Sequence, residues 1–134
     1  MDHRNEQVEA FVQALHTASQ RENKPLVRST HFLLPPGDND PIEHNILSWK
    51  AQEFAYRQFS QDREALPTLA RGLFTEKVHG QYERIVIRGY DKFFNQDELA
   101  WTLPNAIATY STGPFILSFK ENGCIIFISA ITPK

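Results

Sequence analysis

The chain has 134 residues, 41% of them apolar and 22% charged, with a formal net charge of −2 and a single cysteine. That length carries one domain with a modest core, one cysteine excludes an intrachain disulfide scaffold, and the charge leaves no global basic field of the kind that announces nucleic acid. Any polyanion site must be local, and a polar start with no apolar run of membrane-spanning length leads us to expect an intracellular protein, nuclear or cytoplasmic, rather than a secreted one.

Taken in order, residues 6–21 place Val8, Phe11, Val12, Leu15 and Ala18 at helical spacing and predict a packing helix. His16 has no companion at metal-ligand spacing and is expected on the surface or in a capping role. Residues 21–34 mix charge with Pro25 and end in a short apolar stretch, and residues 35–41 form a Pro- and Gly-rich loop that need not carry function. Residues 42–58 stay open between helix and strand, because Trp49, Glu53, Phe54 and Tyr56 fit neither period. Residues 69–74 and 82–88 read as strands with a turn at Gly80; in the second, Ile85 and Ile87 share one face and Arg84, Val86 and Arg88 the other.

Asn95-Gln-Asp-Glu98 has capping-box spacing and predicts a short helix to about Trp101, closed by Pro104. Thr112-Gly-Pro114 then leads into an expected hairpin over residues 113–131, turning at Asn122-Gly123, a pair suited to positive φ. Cys124 is expected as a buried, inert thiol in its second strand. A helix followed mainly by strands gives an α+β fold with an antiparallel sheet.

The hairpin also carries the strongest chemical signal. Lys120 would share a strand face with Ile116 and Ser118, opposite Phe115, Leu117 and Phe119. A lysine that loses hydration near other cations favours the neutral amine, the form able to attack an electrophile such as the α-phosphate of a nucleotide. The plainer reading is an edge-strand lysine kept in solvent against aggregation. Two cationic segments, Leu69-Ala-Arg-Gly-Leu-Phe74 and Arg88-Gly-Tyr-Asp-Lys-Phe-Phe-Asn95, shift the balance. Each sets a cation beside glycine, where the backbone can approach a polyanion closely.

Lys120-Glu-Asn-Gly123, continued as Cys-Ile-Ile-Phe-Ile-Ser129, resembles the nucleotidyl-acceptor motif Lys-x-Asp/Asn-Gly of ATP-dependent RNA ligases, and is especially similar to the form found in fungal tRNA ligases. Ala70-Arg-Gly-Leu-Phe74 and Lys92-Phe-Phe-Asn95 resemble upstream elements of that family in the same order, and Ser48-Trp-Lys and Glu53-Phe-Ala-Tyr56 its preceding segment. The resemblance covers residues 49–129 and implies a partial nucleotidyltransferase fold. Lys120 would be the catalytic nucleophile that takes AMP from ATP. Arg71 and Lys92 would contact the phosphates, Asn122 would hold the loop, and Gly123 would let the backbone turn near the nucleotide. Glu121 falls in the variable place of the motif and takes no role. For Phe93 and Phe94, packing of the Lys92 loop is weighed against contact with nucleotide or RNA.

The family also implies magnesium, tRNA halves as RNA substrates, and end-healing domains; no Gly-x-x-x-x-Gly-Lys-Ser/Thr phosphate loop occurs here. Its later elements, a ribose-side glutamate, metal carboxylates and a Lys-x-Lys pair, would lie beyond Lys134, and no residues are assigned here as metal ligands. The expectation is therefore the N-terminal portion of an RNA ligase adenylyltransferase domain, residues 1–134, truncated at its C-terminal side, inactive alone and prone to self-association. Its hairpin would be underburied at Phe115, Leu117 and Phe119 or at Ile126 and Ile128. The alternative is a non-catalytic remnant or RNA-binding fragment, with Arg71, Arg84, Arg88 and Lys92 spread over a sheet surface.

Overall fold

The N-terminal helix α1 spans His3–Ser19 in the computed structural model, which describes residues 3–62 and 64–131. Its stripe buries Val12, Leu15 and Ala18 against an antiparallel sheet of four strands. The strands are β1 (Val27–Leu34), β2 (His44–Ala51), β3 (Leu73–Val78) and β4 (Tyr82–Arg88), side by side in chain order. Between β2 and β3 lies helix α2, Glu53–Gln61. The α+β expectation holds. The region left open between helix and strand contains both, with the change at Gln52, which explains why no single period fits it.

Register determines what each sheet face carries. Ser29, Trp49, Leu73 and Arg88 lie in line across the four strands, as do His31, Leu47, Thr75 and Ile85. This face meets α1, and Trp49, Leu73 and Thr75 are buried in it. His16 is not a bare surface residue. Its ring lies edge-on to Trp49 at 4.9 Å, and Nε2 pairs with Glu83 Oε2 at 2.9 Å. Trp49 Nε1 donates to Thr75 Oγ1 at 2.8 Å, and Thr75 in turn donates to Glu83. A buried indole and hydroxyl thereby acquire partners, as burial requires.

The expected alternation in β4 fails at one point. Phe74 pairs with Ile87 and Thr75 with Ile85, so Val86 is an extra residue in a bulge, and Ile85 and Ile87 fall on opposite faces. The first of the two expected strands also starts later, at Leu73 rather than residue 69. On the second face, Phe32 and Ile46 line up with Glu76 and Arg84. Residues 127–131 run beside β4: Ser129 Oγ donates to Val86 O at 2.9 Å, and Arg84 donates to Ile131 O.

This face also holds a charged chain of contacts that no motif signals. His44, buried, bridges Asp40 Oδ2 at 2.7 Å and the buried Glu76; Arg84 Nε closes on the other Glu76 oxygen at 2.7 Å. The turn-rich loop thus contributes Asp40, whose carboxylate also accepts from Ile42 N at 3.2 Å. The hydrogen bonds to Glu76 and then Asp40 raise the His44 pKa above its ordinary 6.5, outweighing burial. His44 and the Ile42 backbone lower that of Asp40.

The second unit, Phe93–Ile126, is described by itself. The Asn95–Glu98 pair does form, with Asn95 N donating to Glu98 Oε2 at 2.8 Å, but the chain continues from it only into a 3-10 turn at Ala100–Thr102. The α-helix here, α3, is Pro104–Tyr110, so Pro104 opens a helix instead of closing one. Proline at the first helical position has a preset φ and lacks only an N–H that would be unpaired there anyway. Phe94 stands edge-on to Trp101 at 5.9 Å, while Phe93 is 83% exposed.

The expected hairpin is absent. Residues 114–122 and 124–130 form no strand, and Cys124 is exposed rather than buried. A two-stranded hairpin is marginal by itself and needs a covering layer. Ile116, Leu117, Phe119 and Ile126 are 80–97% exposed, so no such layer is supplied to them.

The His44 bridge gives a pH-dependent stability. A pKa raised in the folded state adds stability fully below the unfolded value of about 6.5, and loses it as pH rises through the folded value. A lowered Asp40 pKa does the reverse at acid pH, losing its contribution as pH falls through the folded value. Urea denaturation of His44→Gln should show a loss of about 1–3 kcal/mol near pH 6, shrinking at alkaline pH; a loss that grows with pH would contradict the bridge.

Candidate active site

Antiparallel pairing of β3 with β4 does not stop at the strand ends. Gly89 N donates to Gly72 O at 2.6 Å, Arg71 N to Tyr90 O at 2.7 Å, and Lys92 N to Leu69 O at 2.8 Å, with Ala70 bridged to Asp91. The two glycine-marked segments are therefore one continued ladder, with Arg71 opposite Tyr90 and Lys92 opposite Leu69, so that the two cations are diagonal neighbours on one face of it.

The glycines in it have a reason other than approach to a polyanion. Gly72 has φ +79°, and a Cβ there would run into the Phe127 ring; one on Gly89 would strike both that ring and the Arg71 carbonyl oxygen. Phe127, half-buried, belongs to the stretch after the lysine motif. Its ring takes the space that two missing side chains leave.

Side chains from α2 complete the group. Tyr56, 2% exposed, has Arg71 Cζ 5.2 Å and Lys92 Nζ 5.1 Å from its ring centroid. Burial raises the phenol pKa, with Arg71 opposing and Glu53 reinforcing, so the ring stays neutral and offers the cations its π-face. Glu53, three residues earlier and so on the same side of the helix, reaches both: Oε1 lies 2.9 Å from Arg71 Nη2 and Oε2 3.9 Å from Lys92 Nζ. The Lys92 side chain is only 8% exposed, against 45% for Arg71 and 66% for Glu53. A cavity of about 240 Å³ beside them is lined by Ser48, Lys50, Tyr56, Ala70, Arg71 and Gly72 among others. Arg71 lines this cavity, while Lys92, nearly buried, meets Arg71 at the Tyr56 ring outside its lining.

Arg71 and Lys92 are thus brought together in the first unit. Lys120, Asn122 and Gly123 lie in the second, all exposed and outside any strand, so the shared strand face expected to desolvate Lys120 does not exist there. Sequence reasoning noticed Glu53 and Tyr56 but gave them no role; their spacing of three on one helix was the available signal. No group of three or more His, Cys, Asp or Glu side chains among the described residues is arranged to hold a metal ion. No helix among them is long and apolar enough to cross a membrane.

Residues 69–134 match the family model described as RNA ligase. The chain is 43% identical to tRNA ligase 1 of Schizosaccharomyces pombe, over 82% of its own length and 15% of that protein's. It is 38% identical to the tRNA ligase of Candida albicans, over 84% of its length and 12% of that protein's. The chain therefore spans a small fraction of the relatives it matches.

Gly72→Ala should cost about 2–4 kcal/mol in denaturant unfolding, from the positive φ and the collision with Phe127. In a double-mutant cycle with Phe127→Ala, the combined loss should be smaller than the sum. Additive losses would show that the ring does not impose the glycine.

Proposed function

We propose that this chain, which belongs to the RNA ligase family, supplies the lysine nucleophile and the polyphosphate-binding cations of an ATP-dependent RNA ligase. The observation that carries the reading is the meeting of Arg71 and Lys92 over Tyr56, two residues that the family resemblance assigns to ATP phosphates and that the ladder makes diagonal neighbours. In this reading the Lys120 amine gives up its proton and attacks the α-phosphorus of ATP. A P–N bond forms, the bond to the β-phosphate oxygen breaks, and pyrophosphate leaves; Arg71 and Lys92 hold the negative charge that moves onto it. An RNA 5′-phosphate oxygen then displaces Lys120 from the AMP, and an RNA 3′-hydroxyl displaces AMP to close the phosphodiester. The tRNA ligase relatives favour tRNA halves as the RNA.

Magnesium would normally neutralise the polyphosphate, but no group of three or more His, Cys, Asp or Glu side chains among the described residues is arranged to hold it. The competing picture, a sheet surface binding RNA through dispersed cations, is weakened by internal pairing. Arg84 is committed to the buried Glu76, and Arg88 to Asp91 at 2.5 Å.

ATP labelled at the α-phosphate should label the protein that carries this sequence, and Lys120→Ala should abolish the labelling. Arg71→Ala and Lys92→Ala should each reduce it about 10²-fold or more. Equal labelling of the Lys120→Ala protein would end the proposal.

A further inference from the structure

Glu53 stands where an anionic ligand of this site would stand. Its two carboxylate oxygens are divided between the two cations, Oε1 on Arg71 at 2.9 Å and Oε2 toward Lys92 at 3.9 Å. Its side chain is 66% exposed while that of Lys92 is 8% exposed, so the carboxylate is the solvent-facing member of the pair. An ammonium removed from water needs a counter-charge. The Tyr56 face adds its quadrupole to both cations. Position and chemistry together describe a tethered anion that keeps the cations in place while no ligand is bound.

We propose that Glu53 is an internal competitor for the polyphosphate site, released from Arg71 and Lys92 when the phosphates of the nucleotide bind. The inference rests on the reading of Arg71 and Lys92 as phosphate ligands and adds a residue with a definite sign to it. A true phosphate ligand strengthens binding, whereas Glu53 weakens it. Its release is easy because Glu53 is exposed; a pair of this kind is worth little in water, and a polyanion making charge-assisted bonds to both cations replaces it. The competitor also makes the site selective. A ligand must offer enough negative charge to displace a carboxylate already in position, which favours a polyphosphate over a single carboxylate or a chloride ion.

The test is titration calorimetry of the whole chain with inorganic tripolyphosphate, without magnesium, at low salt. Glu53→Gln keeps the side chain's size and removes its charge; it should bind roughly two- to fivefold more tightly than the native protein. Glu53→Asp keeps the charge on a shorter arm that cannot span both cations, and should fall between the two. Arg71→Ala and Lys92→Ala should each bind more weakly. If they do while Glu53→Gln binds no more tightly than the native protein, Glu53 is not a competitor and the phosphate site stands. If neither cation variant loses affinity, the phosphate reading fails and this inference with it. Thermal melts with and without tripolyphosphate should keep the same order if Glu53→Gln is too unstable for calorimetry: its melting temperature should rise more on adding ligand than that of the native protein, and an equal or smaller rise overturns the inference.

Discussion

Three backbone hydrogen bonds past the ends of β3 and β4 organise the candidate site: Gly89 to Gly72, Arg71 to Tyr90, and Lys92 to Leu69. They convert two segments distant in sequence into neighbouring strands of one ladder. Close approach of those strands requires glycine at 72 and 89, because Phe127 fills the space above them. With the backbones fixed, one buried tyrosine from α2 can serve both cations. Each of these elements answers to the others: a side chain at either glycine would push out Phe127 or open the ladder, and an open ladder would separate Arg71 from Lys92.

Elsewhere the sheet is held by polar chains as much as by apolar packing. Leu15 and Leu73, both fully buried, anchor the contact between α1 and the sheet. Beside them Trp49, Thr75, Glu83 and His16 satisfy one another in sequence, and on the opposite face Asp40, His44, Glu76 and Arg84 do the same. Breaking one member of such a chain leaves the next unsatisfied in a low-dielectric setting, which costs more than the bond itself. The Arg84 link to the Ile131 carbonyl ties this network to the segment that carries Phe127.

Regular periodicity made some of this legible in the sequence. The stripe of α1 and the turn at Gly80 were visible because one pattern governs each; the strand 82–88 was visible too, but not its bulge at Val86, which breaks the alternation. The stretch holding β2 and α2 was not, since its strand and helix patterns meet at Gln52 with only a few residues of each. The hairpin was read from local turn chemistry and strong alternation, yet both depend on a covering layer that Ile116, Leu117 and Phe119 do not find. Pro104 was read as a stop although its stereochemistry serves equally at a helix start. Lys120 stood out beside an Asn-Gly turn and Arg71 and Lys92 in glycine-marked cationic segments, and the roles expected of them came from motif resemblance. Glu53 and Tyr56 acquire meaning only once α2 is placed beside the ladder, and the His44 bridge joins residues whose proximity no spacing rule encodes.

The central proposal is that Arg71 and Lys92, grouped by the ladder, hold the phosphates of the ATP from which Lys120 takes AMP. NMR of the protein that carries this sequence, tracking the Arg71 guanidinium and the Lys92 and Lys120 ammonium groups as ATP is added, tests it directly. The account predicts that all three respond in a single saturable transition with one apparent affinity. Saturation at Arg71 and Lys92 with no response at Lys120, or no response at the two cations, would contradict it.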